Sequence, residues 1–158
     1  GKVNRFNHED ISWNYRFTNI QATLGLSQLK RINKIIKKKK EIGNFFYNNL
    51  KNNNKIIIQK PSIDYSENIY WVFGILVKQS NRKKTQQLRK KLLNLGVETR
   101  DFFWPMHKQN IFKKMKLFRN QRFPIAEYLS NNGFYIPSGL GLKKSEMIII
   151  CKYINKIL

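Results

Sequence analysis

The sequence predicts an α+β fold of α/β type, a small sheet with helices packed on it. Three observations predict it. Short β-branched and aromatic runs of strand length recur at 55–59, 70–77, 97–104 and 134–137. Stretches with apolar residues at helical spacing lie between and beside them. The order is helix, strand, strand, helix, strand, helix, strand, helix, which suits helices layered on a small sheet.

Each element has its own signals. Residues 1–17 read as an irregular, aromatic-rich lead-in. Thr18 or Asn19 can cap the helix that follows. That helix is expected to run through 20–50, a stretch without proline. Leu26, Leu29, Ile32 and Ile36 recur along it at helical spacing, as do Ile42, Phe46 and Leu50. Asn52, Asn53 and Asn54 end it. The run 55–59 is a short strand closed by Pro61, and 70–77 is the strongest strand pattern in the chain. Residues 85–95 form a basic amphipathic helix ended by Gly96. Residues 97–104 return to strand and stop at Pro105. A short helix or turn spans 108–118. Pro124 at the first helical position starts 125–132, and Gly133 ends it. A last strand covers 134–137. A closing helix over 145–158 places Met147, Ile150, Cys151 and Ile154 on one face.

With 158 residues the chain suits one domain or a large piece of one. A hydrophobic share of 41% rules out a disordered tail. The 31 Lys and Arg against 9 Asp and Glu give a net charge of +22. Such a charge invites a nucleic-acid or anionic-membrane partner. The residue mix argues against it: 23 cations are Lys and 8 are Arg, while Lys, Asn and Ile together make 62 of the 158 residues. Nucleic-acid readers favour Arg for its bidentate fork. The lysines at 37–40 read as the solvated face of a long helix, with a membrane-surface or phosphate-binding strip as the alternative.

A single cysteine excludes an internal disulfide, and its apolar setting makes Cys151 a buried thiol. His8 and His107 make no metal-ligand spacing. No stretch approaches the roughly 20 apolar residues of a membrane span. No signal peptide opens the chain, so a cytoplasmic location is expected. The chain also lacks an initiator Met and is read as a fragment or a processed product. No glycine-rich phosphate loop and no nucleophile elbow appears around Ser138.

Three clusters combine aromatics, hydrogen-bonding side chains and Gly or Pro: 12–22, 96–109, and 123–127 continuing to 133–139. Such mixtures suit a pocket that stacks a flat ligand and holds anionic groups; a packed strand edge is the alternative. The first cluster, Asn14-Tyr15-Arg16-Phe17-Thr18-Asn19-Ile20-Gln21-Ala22, is followed by Leu24-Gly25-Leu26 and Gln28-Leu29. It resembles the signature that follows the active-site half of the DegT/DnrJ/EryC1/StrS sugar aminotransferases. Thr99-Arg100, Phe102-Phe103-Trp104-Pro105-Met106-His107 and Gly133-Phe134-Tyr135-Ile136-Pro137-Ser138-Gly139-Leu140 resemble its GDP-perosamine synthase branch most. The resemblance covers nearly the whole chain. Ser12-Trp13 stand where the family pattern has Gly followed by Tyr or Phe.

The resemblance implies the small C-terminal domain of a fold-type-I enzyme that uses pyridoxal 5'-phosphate. Residues 1–50 would be a lead-in and long helix linking to a large domain, and 51–158 the small domain. The family transfers an amino group, typically from glutamate, to a keto group on a nucleotide-linked sugar. It usually works as a homodimer with active sites at the subunit interface. Its Schiff-base lysine lies upstream of the Asn-Tyr-Arg segment, and no lysine of this chain stands in that context. No catalytic residue is therefore assigned. By resemblance Asn14 would reach across to the phosphate of the partner subunit's cofactor, where an amide N–H donates without adding charge; a turn or cap asparagine is the alternative. Arg16 would hold the same anionic region or pin the loop. Arg100 would pair with the sugar diphosphate, and His107 would bond a phosphate or sugar hydroxyl, with a satisfied structural histidine as the alternative. Trp104 would line the same nucleotide-sugar entrance, although it, Tyr70 and Trp71 read first as core or interface aromatics rather than ligand stackers. Neither a nucleic acid nor a membrane is an expected partner. A basic nucleic-acid-binding module and a non-catalytic dimerisation remnant remain the alternatives.

Overall fold

A computed structural model describes residues 6–158, so the first five residues of the lead-in lie outside the described residues. The expected α+β architecture is present. Four antiparallel strands form one sheet in the order β1 (Ile56–Ile58), β4 (Phe73–Val77), β6 (Gly133–Ile136), β5 (Arg100–Asp101). A two-stranded hairpin, β2 (Ser62–Ile63) with β3 (Ser66–Glu67), stands apart from it. The hairpin was not anticipated, and each of its strands has only two residues.

The proline-free stretch is two helices rather than one. α1 spans Asn19–Leu29 and α2 spans Ile32–Leu50. Thr18 caps α1 as expected: its Oγ1 accepts from the Gln21 N–H, and the Gln21 side chain accepts from the Thr18 N–H at 2.9 Å. The break falls at Arg31, whose backbone leaves the helical region at φ −110°, ψ 7°. The apolar period is real in both helices but serves two surfaces. α1 buries none of its residues, whereas α2 buries Ile42, Gly43, Phe46 and Leu50.

The core lies between one face of the sheet and α2, α3 (Arg82–Asn94) and α6 (Lys144–Ile157). Phe73, Ile75 and Val77 alternate onto that face from β4, and Phe134 and Ile136 from β6. Met147, Ile150, Cys151 and Ile154 meet them from α6, as their spacing predicts. Burial pushes the Cys151 thiol up to about 11. Fully burying a side chain such as Phe46 or Ile75 contributes about 1.5–3 kcal/mol.

Three strand boundaries are shorter than the sequence suggests. β1 keeps only Ile56–Ile58. β4 begins at Phe73 because Tyr70 takes a left-handed φ of 50°, which no strand continues through. Tyr70 is core, 1% exposed and stacked on Phe73 at 5.7 Å. The run 97–104 pairs only through Arg100 and Asp101, opposite Tyr135 and Phe134. Its burial still alternates: Val97 and Thr99 are buried, Glu98 and Arg100 exposed. Arg89 of α3 holds the buried side, donating Nε to Thr99 Oγ1 at 2.9 Å and pairing with the Asp101 carboxylate.

Further along, a 3-10 turn, Met106–Lys108, precedes α4 (Asn110–Lys114). α5 (Pro124–Asn132) starts on Pro124 at its first turn. Gly133 ends it with extended geometry and is itself the first residue of β6.

Candidate functional site

The face of the sheet away from the core carries the candidate site. Tyr135 pairs with both Gly74 and Arg100, so these three residues stand in one row across the sheet. The Phe102 ring lies over this face and stacks on Tyr135 at 4.7 Å. Glycine makes this possible: a Cβ on Gly133 would stand 2.4 Å from the Phe102 ring, and one on Gly74 2.9 Å.

Tyr135 is the shared wall of two clefts. The first, about 400 Å³, is polar, and Lys39, Trp71, Glu98, Arg100 and Ser138 line it. The second, about 480 Å³, is aromatic, with Phe6, Phe102, Phe103, Trp104 and Met106 on its walls. Burial raises the Tyr135 phenol above its ordinary range, so it stays neutral between them.

The polar cleft takes its charge from two elements. Lys39 turns inward from α2 and donates Nζ to the Ser138 carbonyl at 2.6 Å. Its partial burial lowers its pKa. This corrects the expectation that the lysines at 37–40 are all a solvated face. Lys37 and Lys38 are exposed, but Lys39 reaches the cleft and Lys40 pairs with Glu67 at 2.6 Å. The Arg100 side chain is exposed and, among the described residues, has no hydrogen bond or ion pair. Glu98 likewise has neither. Both line the cleft, and no ion pair joins them. Trp71, read as a core or interface aromatic, is 68% exposed at this cleft.

His107 lines neither cleft. Its Nε2 lies 3.0 Å from Glu127 Oε1, and Lys108 Nζ lies 2.5 Å from Oε2 of the same carboxylate. The Lys108 ammonium first, and His107 second, hold the Glu127 carboxyl below its usual range. Trp104 is fixed beside them: its indole N–H donates to the Lys108 carbonyl at 2.8 Å, and the Arg82 guanidinium sits 4.2 Å above its ring. So the structure puts Arg100 in the polar cleft, Trp104 in the aromatic one, and His107 in an ionic cluster.

Gln109 joins the lead-in to this region. Its buried amide accepts from the His8 N–H and donates to the Phe6 carbonyl, both at 2.8 Å. Glu9 adds an ion pair to Lys114 at 2.9 Å. From there to Thr18 the chain forms no helix or strand and presents Asn14 and Arg16 to solvent. Neither side chain has a partner among the described residues. Around them the arm exposes Trp13 at 83%, Tyr15 at 81% and Phe17 at 85%.

The sequence singled out Arg100, Trp104 and His107 but missed Lys39, Glu98 and Glu127 as their neighbours. Lys39 and Ser138 are 99 residues apart, and His107 and Glu127 are 20 apart on separate elements. No spacing rule links such pairs. The one available signal was alternation, which already set Glu98 beside Arg100 on one side of the run.

The sequence profile of the DegT/DnrJ/EryC1/StrS aminotransferase family matches residues 1–155. The chain belongs to that family. A GDP-perosamine synthase from Escherichia coli O157:H7 is 34% identical over 149 residues, which is 94% of this chain and 38% of that protein. A GDP-perosamine synthase from Vibrio cholerae is 29% identical over 96% of this chain and 40% of its own length. The chain therefore spans about two fifths of the length of these curated relatives. The fold is that of Spr1654 from Streptococcus pneumoniae, described as a sugar aminotransferase and determined in its PLP form. The TM-score is 0.81 at 19% identity, over 92% of this chain and 39% of that one. No helix among the described residues is long and apolar enough to cross a membrane.

Proposed function

We propose that this chain is the C-terminal portion of a pyridoxal-phosphate-dependent aminotransferase acting on a nucleotide-linked sugar. Glutamate is the amino donor and a GDP-linked 4-keto-6-deoxy sugar the acceptor. The observation that carries this reading is the family match over residues 1–155, joined to relatives named for GDP-perosamine synthesis. Residues 1–50 link to a large domain and 51–158 form the small one. The second half of α2, seated in the core, ties the two together. The working protein is a homodimer with its sites at the interface. The uncovered rings of the arm support that, since an exposed apolar surface marks a place where another surface docks.

The residues present fit a cofactor phosphate. Asn14 and Arg16 lie two apart in the sequence, exposed and without side-chain partners among the described residues, and both are donors. Asn14 would hold the phosphate through its amide N–H, and Arg16 would add a charge-assisted bond. Pyridoxal phosphate, when bound, supplies the electron sink for amino-group transfer. Arg100 would take the sugar diphosphate, and Trp104 would form an apolar wall. His107, held by Glu127 outside both clefts, would keep the turn at Trp104 in place.

The test uses the full-length protein with pyridoxal phosphate, glutamate and GDP-4-keto-6-deoxymannose. Formation of 2-oxoglutarate together with an amino sugar nucleotide is expected. Asn14→Ala should weaken cofactor retention by about tenfold, the worth of a charge-assisted hydrogen bond, with an unchanged melting temperature. Full retention in that variant would refute the phosphate contact.

A further inference from the structure

We propose that Glu98 is the residue that recognises the base of the nucleotide, and that it selects guanine. The inference rests on the nucleotide-sugar reading above and extends it to specificity. It starts from the polar cleft, where Glu98 and Arg100 are both exposed, both unpaired among the described residues, and on the same side of the chain.

An unpaired carboxylate in a cleft that otherwise carries Lys39 and Arg100 is odd for a site that only holds phosphate. It repels the anion and weakens the field of the two cations. It makes sense if it meets a donor-rich edge. A carboxylate only accepts, and its two oxygens suit two adjacent N–H groups. Among the common bases guanine alone offers such a pair on its Watson–Crick edge, N1–H beside the 2-amino group. The uracil N3–H lies between two carbonyls, which a carboxylate repels. Adenine and cytosine set their amino group next to a ring-nitrogen acceptor, so one oxygen of Glu98 would face a lone pair.

The rest of the cleft supplies what a purine nucleoside diphosphate needs. Trp71 and Tyr135 are aromatic walls on which a base can stack. Arg100 stands about 7 Å from Glu98 along the extended run. Lys39, with one N–H on the Ser138 carbonyl, keeps two N–H groups for phosphate oxygens. The geometry thus reads a base with Glu98 and Trp71 and grips a diphosphate with Arg100 and Lys39.

Calorimetric titration of the full-length protein with GDP, IDP, UDP and inorganic pyrophosphate tests this. IDP lacks only the 2-amino group. The wild-type protein should bind GDP about tenfold more tightly than IDP, and UDP and pyrophosphate more weakly than either. Glu98→Gln should bring GDP and IDP within about threefold of each other, because one acceptor oxygen becomes a donor. Arg100→Ala should weaken GDP, IDP and UDP by similar factors and leave the GDP-to-IDP ratio alone. Equal binding of GDP and IDP by the wild type would overturn the proposal, as would an unchanged ratio in Glu98→Gln. Glu98 has no partner to lose, so an unchanged melting temperature confirms that the variant folds. Amino transfer without a guanine preference would remove the role of Glu98 and leave the reaction standing. A guanine preference that depends on Glu98, without amino transfer, would do the reverse.

Discussion

Gly43 and Tyr70 share one volume: a Cβ built on Gly43 would stand 2.1 Å from two carbons of the Tyr70 ring. The absent side chain lets Tyr70 lie flat against α2 and stack on Phe73. Gly43→Ala must therefore push Tyr70 out of its place, where the backbone already holds φ 50°. The expected loss is about 1–3 kcal/mol, as for other overpacked cores. Urea unfolding by circular dichroism measures it.

Alkali should destabilise the domain through two buried groups. Burial raises the Tyr70 phenol from 10.0 to about 12 and the Cys151 thiol from 9.0 to about 11. Above pH 9 the unfolded chain gives up these protons first, so the native state binds more of them. Stability then falls as pH rises through the window between 9 and about 12. Urea midpoints at pH 7.5, 9 and 10.5 would show a progressive drop. Tyr70→Phe should shrink the drop and cost little at neutral pH, because the Tyr70 hydroxyl is buried without a hydrogen-bond partner among the described residues.

The Glu127 cluster should respond at the other end of the scale. Its carboxyl is held low by Lys108 and His107, so its contribution is present above the usual carboxylate range. That contribution is lost as pH falls through the depressed value. Glu127→Gln should flatten the acid limb of a melting-temperature profile between pH 6 and 3. It should also speed amide exchange across the turn Met106–Lys108 while β4 and β6 stay protected. An acid limb unchanged by Glu127→Gln would show that the cluster contributes nothing measurable.

Local signals were legible where chain neighbours decide the outcome. Thr18 as a cap, Pro124 at a first turn and the apolar face of α6 all depend on residues within a few positions of each other. The break between α1 and α2 was not, because neither Lys30 nor Arg31 is a helix breaker and the apolar period runs across it. The inward turn of Lys39 was hidden for a related reason. Four identical lysines in a row differ only in where the third dimension aims them. The motif residues were legible as a set, but which cleft each one enters depends on Tyr135 and on the two glycines that admit Phe102.

The arm that carries Asn14 and Arg16 also sets how this chain behaves in a tube. Trp13, Tyr15, Phe17, Ile20, Leu24 and Leu26 are each more than 60% exposed. Rings and branched chains left in water attract their counterparts on other molecules. A net charge of +22 opposes that attraction at long range. At about 0.15 M salt this repulsion reaches only about 8 Å, and at 1 M about 3 Å. The 158-residue chain should therefore behave as a charge-stabilised colloid, dispersed in dilute buffer and clumping when the ionic strength is raised.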